Sequence, residues 1–171
     1  MAVEAHDVEG RDLREHVIAL LEERGVRLRD IAEIVYAIQK DYQPGLTLDG
    51  CLDSVYEVLR KREVQYALLT GIALDQLAER GQVPEPLGSI LIADSPLYGI
   101  DEVLALAITN VYGSIGFTNF GYLDKRKIGI LAELHNLGGA GGRVNTFLDD
   151  LVAGVAAAAA SRLAHHWHHA E

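Results

Sequence analysis

The sequence predicts an all-α, single-domain helical bundle with an alanine-rich C-terminal helix at its centre, on three observations. Apolar residues recur at helical spacing along nearly the whole chain, and no stretch alternates with period two long enough to read as a strand. Glycine and proline separate the periodic runs. Residues 156–160 are all alanine, so a helix through them admits close neighbours on several sides and belongs inside the bundle. A chain of 171 residues can enclose one core without disulfides or a structural metal.

The first helix covers residues 11–23, with Leu13, Val17, Leu20 and Leu21 on its apolar face and Gly25 as its stop. The second covers 28–39 through Leu28, Ile31, Ile34, Val35 and Ile38, and Pro44 and Gly45 end that hairpin. A third, over 48–59, buries Leu52, Val55 and Leu59, and a fourth over 64–79 is closed by Gly81 and Pro84. A short helix at 86–92 leads to a break at Asp94, Ser95 and Pro96, then to a strongly apolar helix over 99–112 ended by Gly113 and Gly116. From 117 to 142 the glycines predict irregular chain apart from a helix at 128–135, with Gly138, Gly139, Gly141 and Gly142 as a surface loop or lid. The last helix starts near Asn145 or Thr146 and reaches about Ala164, leaving His165, His166, His168 and His169 as a frayed end.

Fifteen basic residues against 25 acidic ones give a formal charge of -10, which repels nucleic acid phosphates. A helix-turn-helix DNA reader around residues 28–42 fails for the same reason, because Asp49, Asp53 and Glu57 occupy the helix that follows. The lone Cys51, in an apolar run, reads as a small buried hydrophobe. The acidic N-terminus lacks a signal-peptide core, and the longest uncharged run, 151–161, is too short to span a bilayer; the expected location is the cytoplasm.

Two pairs of acids, Asp101 with Glu102 and Asp149 with Asp150, stand at the starts of apolar helices. Helix capping and the helix dipole account for acids in a first turn, and Thr146 with Asp149 has capping-box spacing. A metal or phosphate site is the alternative, because Asp150 has only Val152, Ala153, Gly154 and Ala157 at short helical offsets. If the two helix starts converge, four carboxylates share a small volume, and a divalent cation relieves their repulsion. Oxygen ligands without histidine or cysteine favour Mg2+, which recruits substrate phosphate. Lys125, Lys127 and Arg143 then become candidate phosphate holders, with Asn119 and Asn145 as further hydrogen-bonding groups. His135 lacks helical metal-pair spacing and is expected on the surface.

The segments YGIDE (98–102), GSIGFTNFGYLDK (113–125) and NTFLDDLVAG (145–154), in that order, resemble the phosphatidylglycerophosphatase A family, with the greatest likeness to its soluble YutG-like branch, over roughly residues 26–166. The resemblance implies a helical fold around one central helix and Mg2+-dependent removal of the terminal phosphate from phosphatidylglycerophosphate, giving phosphatidylglycerol. It puts the acidic motifs on Asp101 and Glu102, on Asp124, and on Asp149 and Asp150, all as metal ligands, with Asp101, Glu102, Asp149 and Asp150 also catalytic; beside them the residue pattern turns Asp124, Lys125, Lys127, Arg143 and Asn145 toward phosphate. The chain departs from the membrane-bound members at Gly121, where they carry arginine, and at Ile128, where they carry proline. Their N-terminal loop and membrane-spanning helices have no counterpart. The expected partner is a phosphorylated small molecule or lipid head group, with peripheral membrane contact and a homo-oligomer allowed. The alternative is a non-catalytic helical binding or assembly module that keeps the acidic site.

Overall fold

The computed structural model describes residues 12–138 and 142–168. Among them are nine α-helices and no strand: α1 (Arg14–Glu23), α2 (Leu28–Gln39), α3 (Leu48–Val58), α4 (Arg62–Glu79), α5 (Leu87–Ile92), α6 (Ile100–Thr109), α7 (Ser114–Arg126), α8 (Ile130–Leu137) and α9 (Leu148–His168). Arg11, Gly139, Gly141 and His169 from the expected elements lie outside the described residues.

Helix α9 is the axis of the bundle. Residues 148–161 are all buried, and α2, α3, α4, α6, α7 and α8 pack around them. An ordinary amphipathic helix reserves one face for water; here small side chains let neighbours approach from every side. The approach reaches backbone level at two places. A Cβ on Gly154 would stand 3.0 Å from the Ala105 carbonyl oxygen of α6. One on Gly71 of α4 would stand 2.5 Å from Leu151 Cδ1 and 3.0 Å from Phe147 Cβ. Larger residues fill the second layer, where Val17, Ile31, Val35, Val55, Leu68 and Ile72 are almost completely buried. Burying each such side chain stabilises the fold by roughly 1.5–3 kcal/mol. Hydroxyls inside this core are paired: Ser54 Oγ donates to the Ala159 carbonyl at 2.9 Å and Ser161 Oγ to that of Tyr112 at 2.8 Å. Cys51 is fully buried, and burial pushes its thiol pKa up to about 11.

Three expectations need correction. The stretch expected to be irregular after residue 117 begins inside α7, a helix of 13 residues that buries Gly116, Phe120 and Leu123 against the core. The break is confined to Gly113, at φ 79°. Gly116 serves close packing instead, since a Cβ there would lie 3.0 Å from the Thr109 carbonyl oxygen. Secondly, α9 starts at Leu148, and Thr146 does not cap it: its hydroxyl donates to the Leu91 carbonyl at 2.6 Å. Finally, α9 continues past Ala164 to His168, so the histidine-rich end is helical over 165–168.

Replacing Gly71 by alanine improves helix propensity by about 1 kcal/mol. Overpacking against the fully buried Leu151 and Phe147 costs about 1–3 kcal/mol and wins, because neither neighbour has space to yield. Gly71→Ala is therefore expected to lower the denaturant midpoint of unfolding.

Candidate functional site

The first turn of α9 carries Asp149 and Asp150, and its free backbone N–H groups need partners inside the protein. Asp75 of α4 supplies them: its carboxylate accepts from Phe147 N at 3.1 Å and from Leu148 N at 3.0 Å. Arg24, also buried, donates to the Val144 carbonyl and to Asn145 Oδ1, and pairs with Glu79 at 2.7 Å. Asn145 Nδ2 donates in turn to the Leu134 carbonyl of α8. The segment that enters α9 is thereby tied to α4, to α8 and to the end of α1.

Three further segments converge on this turn. Gly99, left-handed at φ 69°, starts α6 so that Asp101 and Glu102 fall on its first turn. The α7 helix runs back toward the same end, placing Asp124 in its last turn and Lys127 at its C-cap, also left-handed at φ 45°. The loop from Asp94 to Gly99 completes the wall, with Tyr98 packed edge-on against Phe147 at 5.9 Å between ring centres. The result is an open cavity of about 430 Å³ whose lining includes Asp94, Asp101, Glu102, Asp124, Asp149 and Asp150.

Lys127 sits among these acids. Its ammonium lies 2.8 Å from Asp124 Oδ1, 2.9 Å from Asp149 Oδ2 and 3.4 Å from Asp150 Oδ1. Burial disfavours its charge, but the carboxylates of Asp149, Asp124 and Asp150 outweigh that and hold its pKa above the ordinary lysine value. One ammonium does not balance so many acids. Burial, reinforced by the charge of Asp149, pushes Asp150 up to about 8. Asp149 and Asp101 are raised for the same first reason, with Asp94 adding repulsion to each. Asp75 rises to about 7 through burial, against the pull of its two backbone donors.

Asp101, Glu102, Asp124, Lys127, Asp149 and Asp150 thus line one cavity. The other residues considered for phosphate lie elsewhere. Lys125 is exposed outside the cavity lining, Arg143 donates to the Arg24 carbonyl at 3.2 Å, and Asn145 spends both ends of its amide on the frame around α9. Asn119 faces a separate cleft with Gln39 and Gln43. Sequence reasoning missed Asp75, Asp94 and His135. His135 is largely exposed, as expected, yet it lines the cavity with Nδ1 3.9 Å from Asp149 Oδ2. An aspartate among apolar residues in the middle of α4 was the available signal for Asp75.

The family model for phosphatidylglycerophosphatase A matches residues 17–165. The chain belongs to the phosphatidylglycerophosphatase A family. It is 57% identical over 146 residues to YpjQ, an uncharacterized protein of Bacillus subtilis, covering 85% of this chain and 81% of that one. With YutG, another uncharacterized protein of B. subtilis, it shares 56% identity over 153 residues, 90% of this chain and 91% of the relative. Among solved structures, the low temperature requirement C protein of Listeria monocytogenes is 57% identical with a TM-score of 0.88, covering 94% of this chain and 99% of that one. A Bacillus stearothermophilus protein of unknown function is 56% identical with a TM-score of 0.87, covering 90% and 94%. Those structures bear out the helical fold, and membership of the phosphatidylglycerophosphatase A family suggests a phosphatase. Among the described residues, no helix is long and apolar enough to cross a membrane.

Two predictions follow the charges of the site. Asp75→Ala strips two buried N–H groups of their acceptor, at about 1–3 kcal/mol each, and is expected to destabilise the protein by roughly 2–6 kcal/mol in equilibrium unfolding. The pH effect has the opposite sign from an ordinary salt-bridged aspartate. Asp150 is near 8 when folded and about 4 when unfolded, so its share of stability is fully present below about pH 4 and is lost as pH rises through 8. Metal-free protein should therefore lose stability over that window, and Asp150→Asn should flatten the decline in unfolding curves taken at successive pH values.

Proposed function

We propose that this chain is a Mg2+-dependent phosphatase that hydrolyses a phosphomonoester, with phosphatidylglycerophosphate as its substrate and phosphatidylglycerol as its product. One observation carries the reading: acids from α6, α7 and α9 share a single open cavity with the ammonium of Lys127, in a chain of this family.

The wall fits a hard cation in kind, since it offers several carboxylates and no thiolate. Burial, reinforced by repulsion among the acids, raises Asp101, Asp149 and Asp150, and a divalent charge would relieve that repulsion. Among the described residues, no three side chains already form a ligand set, and Lys127 fills the space between Asp124, Asp149 and Asp150. Asp101, Glu102, Asp149 and Asp150 would hold the ion, with Asp124 at its edge. When bound, the ion supplies Lewis-acid stabilisation of the charge on the phosphoryl oxygens.

The chain's own residues do the rest. Lys127 stays charged, so it can turn from its aspartates to a phosphoryl oxygen and steady charge that develops there. Asp101, half-buried at the cavity wall, orients the attacking water and takes its proton. The new P–O bond forms as the ester P–O bond breaks, and the proton passes to the departing alcohol.

A second reading, a non-catalytic ligand-binding or assembly module, is favoured by the Lys127 ion pairs, which neutralise part of the acid cluster without a metal. Phosphate release from phosphatidylglycerophosphate and from a water-soluble phosphomonoester, with Mg2+ present, decides between them. Asp149→Asn is expected to lower the rate by at least about 100-fold. No release by the unmodified protein sinks the phosphatase reading. Mg2+ binding by calorimetry without turnover then supports the second reading, and no binding sinks both.

A further inference from the structure

A second cleft opens toward the far end of α9 from the acids. It lies between the end of α2, the N-terminal half of α7 and Ala164, and it has a volume of about 420 Å³. At 1.5 Å per residue, Ala164 is about 21 Å along the axis from Asp150. The chemistry of this cleft is the reverse of the acid cavity: among the described residues no charged side chain lines it, and three carboxamides do. Gln39 and Gln43 are only 6% and 5% exposed, although glutamine is ordinarily left to water. One bond joins them, from Gln43 Nε2 to Gln39 Oε1 at 3.1 Å, and the amino group of Gln39 and the carbonyl oxygen of Gln43 remain for another partner. Asn119 Nδ2 is buried without an acceptor. Space that needed only to be filled would be filled at less cost by leucine, because buried amide groups without partners destabilise a fold.

We propose that this cleft binds an uncharged, flat heterocycle of the nucleobase type, as the free base or its nucleoside. A carboxamide sets an N–H donor beside a carbonyl acceptor in one plane, and so pairs with a ring edge that carries the complementary two groups, as Asn and Gln do with adenine. Gln39 and Gln43 supply that donor and acceptor, and rotation of the Asn119 amide about its terminal bond brings a further donor to the same ligand. Ile38 and Ile115 give apolar contact to the faces of a ring, which a polyol with hydroxyls on both faces would not use. Tyr42, 78% exposed, adds an aromatic ring for stacking. The lining offers no cation to a phosphate and the chain carries -10 overall, so a nucleoside is preferred to its nucleotide. This site is independent of the chemistry in the acid cavity.

The test is calorimetric titration of the full chain with adenosine, guanosine, cytidine and uridine, beside their 5′-monophosphates and myo-inositol. At least one nucleoside is expected to bind, one per chain, at least tenfold more tightly than its monophosphate and than myo-inositol. Asn119→Leu and Gln39→Leu, each shown folded by circular dichroism, should weaken that binding at least tenfold. Asn119→Leu should also hold or raise the denaturant midpoint, since it removes a buried donor that has no acceptor in the free protein. A lower midpoint with binding unchanged would assign Asn119 to the frame and overturn the proposal. Binding of none of the nucleosides, equal binding of the monophosphate or of myo-inositol, or nucleoside binding that survives both substitutions overturns it too. So does a dimer in sedimentation velocity that either substitution dissociates, since a second copy of the chain then fills the cleft.

Discussion

The structure depends on burying the N-terminal half of α9 on all sides. A helix with no wet face places two demands on its surroundings: its neighbours must tolerate small side chains at the contact, and the unpaired N–H groups of its first turn must be satisfied from within the protein. The alanine run, Gly154 and Gly71 meet the first. Asp75 meets the second, reaching from α4 to the two N–H groups that precede the acidic pair.

The site grows out of the same arrangement. Because the axis starts inside the bundle, Asp149 and Asp150 are drawn in with it, and α6, which starts at that end, and α7, which finishes there, deliver Asp101, Glu102, Asp124 and Lys127 to it. Charge is concentrated where water is scarce, so each carboxylate feels its neighbours strongly and the protonated form gains ground. The frame of Arg24, Glu79 and Asn145 lies just behind and holds the backbone while the front of the site stays open.

Much of this was legible in the sequence. Apolar periodicity located most helices, and the alanine run marked the axis, because composition reports directly on how closely helices can pack. The ordered acidic motifs picked out the residues that line the cavity. Helix α7 was hidden because a glycine looks the same whether it ends a helix or lets another backbone come near; Gly113 does the first and Gly116 the second. Asp75 sits some 70 residues from the turn it supports, and only tertiary structure brings His135 or Asp94 to the acids. Asn145 and Arg143 misled for a related reason: a polar residue beside a site motif can be there to hold the backbone.

Lys127 carries a conflict between durability and chemistry. Its left-handed backbone is one that glycine adopts without strain, so a change to glycine would ease the turn while taking the ammonium away from three aspartates. Backbone geometry alone would favour glycine at this turn, and persistence of lysine there in a lineage would record selection for what its charge does.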